Sequence, residues 1–113
     1  MSKKIIAVIT AITTDRVIIT DDALKHIIEE HFRGIPEDII LETVERVLRD
    51  PSEVYKDTQK SKSKEYDFFY RLESGEYIVV VVKIIAEGAF LSSMYPTGKK
   101  QRNKHKGFKK VKI

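Results

Sequence analysis

Residues 66–95, YDFFYRLESGEYIVVVVKIIAEGAFLSSMY, decide the fold, because three β-branched and aromatic runs are parted there by two glycine-bearing breaks. Tyr66–Leu72, Tyr77–Ala86 and Ala89–Tyr95 read as consecutive antiparallel strands, with Ser74-Gly75 and Glu87-Gly88 at the positions of two-residue hairpin turns. Turns of that length fix the register. Leu72 then faces Tyr77, which sets Arg71 opposite Ile78, Phe69 opposite Val80 and Asp67 opposite Val82. Ala86 faces Ala89, which sets Val82 opposite Ser93 and Val80 opposite Tyr95. Side chains alternate across a strand, so one face is predicted to carry Asp67, Phe69, Arg71, Val80, Ser93 and Tyr95. The other carries Tyr66, Phe68, Tyr70, Val79, Val81, Phe90 and Met94 with Lys83 near its end, and is the better candidate for the core. Asp67, Arg71, Ser93 and Tyr95 would then form a hydrogen-bonding and cationic cluster on one sheet face.

Upstream, the apolar period changes from two to 3.6. Thr20 offers an N-cap, Asp21 and Asp22 suit a helix's first turn, and Leu24, Ile27, Ile28, His31 and Phe32 recur at helical spacing until Gly34. Pro36 opens a second such pattern through Ile39, Ile40, Val44, Val47 and Leu48, which Asp50-Pro51 stops. Helices are predicted over 21–33 and 36–49. Ile5–Ile12 and Val17–Ile19 read as a strand pair or as one interrupted strand, and Val54-Tyr55 as a short strand. Lys56–Lys64 is polar and reads as a loop. No internal repeat occurs. The order indicates an α+β fold, a single domain over 1–98 followed by a basic arm over 99–113.

The 113 residues, 42% hydrophobic and 34% charged, suit one globular domain. The absence of Cys excludes disulfides, thiolate zinc sites, iron–sulfur clusters and cysteine nucleophiles. No apolar run reaches the roughly 18 residues of a membrane span. Lys3-Lys4 before Ile5–Ile9 only imitates a leader, since Thr10 and Thr13 interrupt it, and a cytoplasmic location without membrane contact is expected. The net charge of +4 is unevenly placed. Residues 99–113 hold eight Lys or Arg and no acid, which leaves 13 basic against 17 acidic residues before them. Lys99, Lys100, Arg102, Lys104 and Lys106 are therefore the expected nucleic-acid contacts, with a solvated tail as the plainer alternative.

His26 and His31 lie five apart on the first helix, about 140° around its axis, and lack the H-E-x-x-H spacing of zinc proteases. No metal or other cofactor is expected. His31 falls on the apolar stripe, which fits a core residue as well as an imidazole placed for proton transfer; His26 points the other way.

Val17-Ile18-Ile19-Thr20-Asp21 leading into His26-Ile27 and Glu30-His31, then Asp50-Pro51 and Val54-Tyr55, resembles phage- and mobile-element-associated nuclease domains of the barnase–EndoU–colicin–RelE-like group. The strand Phe90–Pro96 is similar to that group's closing strand, with Ser93 where a Thr is common and Tyr95 shortly after. The resemblance covers roughly residues 17–98. It implies two N-terminal helices packed on a curved antiparallel sheet, and a metal-independent, toxin- or phage-type endoribonuclease acting by 2′-hydroxyl attack. By that resemblance His31 or His26 is the general base or acid, Arg71 the phosphate clamp, and Ser93 and Tyr95 hydrogen-bond donors. RNA is the implied partner, with a protein inhibitor or antitoxin as a second. Two readings from other classes stand beside it: a non-catalytic nucleic-acid-binding module, and a toxin–antitoxin interaction protein.

Overall fold

The computed structural model describes residues 4–57, 65–97 and 109–113. Thr13, Thr14 and Asp15 turn the chain back on itself. Thr14 takes a positive φ of 73°, the Ala11 N–H donates to the Asp15 carbonyl at 2.9 Å, and the Thr13 hydroxyl donates to the Asp15 carboxylate at 2.8 Å. The first two apolar runs are therefore a hairpin, β1 (Ile5–Thr10) and β2 (Arg16–Thr20). Helix α1 (Asp21–His31) follows at once, its Ala23 N–H capped by the Thr20 hydroxyl at 3.2 Å. Gly34, at φ 84°, lets the chain turn into α2 (Glu37–Arg49), which buries Ile40, Val44, Val47 and Leu48. Five strands complete the fold: β3 (Glu53–Lys56), β4 (Glu65–Glu73), β5 (Glu76–Ile85), β6 (Gly88–Thr97) and β7 (Lys109–Val111). Residues 58–64 of the expected loop, residue 98, and residues 99–108 of the basic arm lie outside the described residues.

The expectation of two N-terminal helices on an antiparallel sheet is overturned. Among the described residues the sheet has seven strands in the order β1-β2-β6-β5-β4-β3-β7, and it is mixed, because β2 and β6 run parallel. The helices are not N-terminal, since the β1–β2 hairpin precedes them and belongs to the same sheet. The cause lies in connectivity. A parallel neighbour can be reached only through a long crossover, and here α1, α2 and β3–β5 all intervene between β2 and β6. The sequence period marks each strand but carries no sign of that distant pairing. At the far edge, β7 pairs with β3 through Val54 and Val111, so the last residues join the sheet.

The β4–β5 hairpin has the predicted register, Leu72 opposite Tyr77. Its turn residues Ser74 and Gly75 both take positive φ (50° and 82°), the requirement of the type I′ turn that matches strand twist. The β5–β6 hairpin differs. Its turn is Ala86-Glu87, with Ile85 opposite Gly88, and one residue is inserted further along, where Val82 faces Leu91 but Val81 faces Ser93. Ser92 is thus a bulge. Past it every side chain changes face. Met94 turns to the face of Phe69 and Val80, while Ser93 and Tyr95 join the face of Tyr70 and Val79.

The expected core face is corrected as well. Helices α1 and α2 cover the face of Phe69, Val80, Val82, Leu91 and Met94, which form the main core with Leu24, Ile27, Val44 and Leu48. The opposite face carries a second cluster, buried Tyr70, Val79 and Val81 ringed by Tyr55, Tyr66, Phe68, Tyr77 and Tyr95. Both faces of β5 are apolar, so alternation alone could not rank them.

Candidate active site

Strand β2 accompanies β6 only over Val17–Ile18 and Ala89–Phe90. Helix α1 packs against β6 as well, and past Phe90 no described strand flanks β6 on that side. A cylinder beside a sheet edge leaves a groove. Here it is a cleft of about 670 Å³. Asp22, Lys25, His26 and Glu29 of α1 form one wall, Lys83 and Ile85 of β5 with Phe90 and Ser92 of β6 the other, and Ile5 and Thr20 close one end.

The elements explain each polar group. Lys83 is the one charge inside the run Tyr77–Ile85, and its position opposite Tyr66 and Phe90 puts it on the face away from the helix-covered core. The bulge supplies Ser92, in line with the use of bulges to re-aim a side chain. His26 is well exposed, with its Nε2 3.5 Å from Glu30 Oε1. His31, on the next turn, has its Nε2 4.0 Å from Glu30 Oε2. One carboxylate therefore stands within ion-pair distance of both imidazoles. The His31 ring also packs on Tyr95, centroids 5.8 Å apart and planes tilted by 46°.

Of the residues singled out in the sequence, the structure sets His26 and His31 about Glu30, brings His31 onto Tyr95, and puts Ser93 on the same sheet face as Tyr95. Ser93 and Tyr95 project from β6 on the same face as Lys83, and His31 reaches Tyr95 from the end of α1. Arg71 is not among them. It lies on the helix-covered face, where Nη1 donates to the Asp50 carbonyl at 2.5 Å and to the Asp50 carboxylate at 2.9 Å, and Nε donates to Glu73 at 3.2 Å. Glu73 also accepts from Arg46 Nε at 2.5 Å. That bond, together with the charges of both guanidinium groups, holds the Glu73 carboxyl below its usual range in spite of partial burial. The network ties the end of α2 to β4. Arg71→Ala is therefore expected to cost about 1–2 kcal/mol in chemical denaturation and to leave unchanged, in the folded protein, the turnover that the resemblance implies. Loss of turnover without loss of stability would return Arg71 to the site.

Asp67 of the expected cluster stays on the helix-covered face, 1% exposed, with no hydrogen-bond partner for either carboxylate oxygen among the described residues. The bulge separates it from Ser93 and Tyr95. Sequence reasoning missed Lys25, Glu29, Glu30 and Ser92. The lone cation Lys83 within an aliphatic strand was the legible signal. Lys99, Lys100, Arg102, Lys104 and Lys106 lie outside the described residues. Among the described residues no three His, Asp or Glu side chains are grouped so as to hold a metal ion, and no helix is long and apolar enough to cross a membrane.

No curated protein and no solved structure matches the chain. A family model does: that of phage-Barnase-EndoU-ColicinE5/D-RelE like nuclease 3, over residues 2–104. The match takes in the opening hairpin, both helices, the bulged strand and every residue of the cleft, and the chain belongs to this nuclease family.

Proposed function

We propose that the cleft between α1 and β6 is the active site of an endoribonuclease that cuts RNA without a metal ion. The observation that carries this reading is the meeting of His26, Lys83 and Ser92 in one cleft of a nuclease-family chain, with His31 and Tyr95 beside them. In the proposed reaction one imidazole takes the proton of the RNA 2′-hydroxyl. The 2′-oxygen attacks the adjacent phosphorus, the bond from phosphorus to the 5′-oxygen breaks, and the second imidazole returns a proton to the leaving oxygen. The products are a 2′,3′-cyclic phosphate and a 5′-hydroxyl. His26, in the cleft, serves as base, and His31 as acid, its ring held against Tyr95. Glu30 is placed to orient both rings. Lys83 supplies the charge facing the phosphorane, the part that Arg71 is too far engaged elsewhere to play, and Ser92 and Ser93 add hydroxyl donors.

The test is incubation with total RNA in EDTA, followed by mapping of the cleaved ends. Cyclic phosphate ends are expected, and Lys83→Ala should lower turnover by about 10²-fold with an unchanged melting curve, since Lys83 is only half-buried at the cleft. Absence of cleavage by the wild-type protein, or of any effect of Lys83→Ala, counts against the reading.

Lys99, Lys100, Arg102, Lys104 and Lys106 are proposed to contact the RNA backbone outside the cleft. Neutralising all five to Gln should flatten the plot of log K against log salt for single-stranded RNA by about 3.5, at roughly 0.7 per phosphate contact. An unchanged slope would assign the arm to solubility.

A further inference from the structure

The two edges of the sheet are built differently. Strand β7 is three residues long and presents Lys109 and Lys110, charges that discourage edge-to-edge pairing. Strand β1 is six residues, IIAVIT, without a charge or a proline. It ends the sheet, so its outer backbone groups pair with no described strand. Ile5 and Val8 on it, and Ile12 just past its end, are 57%, 45% and 43% exposed, three of the seven exposed large apolar residues among the described residues. An uncharged apolar edge of this length is a template for another strand.

We propose that the occupant is β1 of a second copy of this chain, paired antiparallel about a two-fold axis through Val8. Such an axis is self-complementary: the same residues meet on both sides, and an uncharged strand brings no like charges together. The ends match in charge. Antiparallel pairing about Val8 brings Lys4, just before β1 and beyond its irregularity between Ile5 and Ala7, to the far end of the other β1, near the turn that holds Asp15 of the partner subunit. Neither Lys4 nor Asp15 forms an ion pair with any described residue of its own chain. The axis stands perpendicular to the sheet, so both copies present the same face to the same side. The result is one continuous sheet with two clefts opening in one direction, each with Ile5 at its end.

Analytical ultracentrifugation across about 1–100 µM, a range that brackets a micromolar Kd, tests the pairing. The wild type is expected to be a concentration-dependent dimer. Val8→Lys should give a monomer with its melting temperature retained, since the side chain is exposed. Lys4→Asp alone should weaken the dimer by about tenfold, because two symmetric pairs become repulsive, and Lys4→Asp with Asp15→Lys should restore it. A wild type that is monomeric throughout, a dimer that survives Val8→Lys, or a double variant no tighter than the single one each overturns the proposal. A monomer that captures a different protein through this edge overturns it too.

Discussion

Replacing His26 with alanine is expected to lower RNA turnover by about 10²–10⁴-fold, the usual loss when a general acid or base is removed, while leaving the melting temperature where it was. The second half of that expectation makes the first informative. The His26 side chain is 59% exposed, has the Glu30 carboxylate as its ionic partner among the described residues, and lines the cleft without belonging to the core. Exposed substitutions of that kind usually change stability by less than about 0.5 kcal/mol. His31→Ala is a different experiment, because that ring packs on Tyr95 and its loss removes an aromatic contact together with the imidazole. The two variants should therefore separate. One loses rate alone, the other rate and some stability. A His26→Ala protein with full activity, beside a folded His31→Ala protein without it, would move the base from the first imidazole to the second.

The Asp67→Asn variant is expected to be more stable than the wild type at pH 7.5 by on the order of 3 kcal/mol, and no more stable near pH 4. Burial on the helix-covered face pushes this carboxyl from 3.8 up to about 6. Lys56, opposite it on β3, works against that rise, and Asp15 and Glu65 add to it. Between those two values the folded protein keeps a proton that the unfolded chain has released. Stability therefore falls as the pH rises through that window, and stays low above about 6. Asparagine keeps the shape and removes the charge, so it should abolish this slope. For a chain of this size the difference corresponds to a rise of about 10 °C or more in melting temperature at neutral pH. Equal melting temperatures at pH 7.5, or parallel pH profiles, would show that the buried carboxylate is already compensated.

Local physics was legible in the sequence, and distant pairing was not. Thr20, Gly34 and Pro51 marked where the helices begin and end because capping and φ preferences act over a few residues. Ser74-Gly75 gave the β4–β5 register for the same reason. The bulge at Ser92 has no comparable signature, for a serine fits a regular strand as well as a bulged one. That single inserted residue moved Ser93 and Tyr95 away from Asp67 and Arg71 and toward His31. The expected cluster is thereby split, Asp67 and Arg71 on one face and Ser93 and Tyr95 on the other. The cleft was illegible for a related reason, since α1 meets β6 only after the whole meander has closed. Arg71 shows the limit of reading chemistry from residue type: a guanidinium suited to phosphate is here spent on Asp50 and Glu73.

The parallel contact of β2 with β6 also orders events in time. Val17 must find Ala89, and both walls of the cleft come from segments made far apart during synthesis. Contacts so distant in sequence close slowly, because the loop entropy is spent before the contact forms. On a ribosome, α1 emerges early and waits beside an incomplete sheet, while β4 and β5 can pair locally as a hairpin. The cleft comes into being only when β6 has left the exit tunnel. A nascent chain therefore carries its histidines for most of its synthesis without the opposing wall, and the cleft is completed with the last strands rather than gradually.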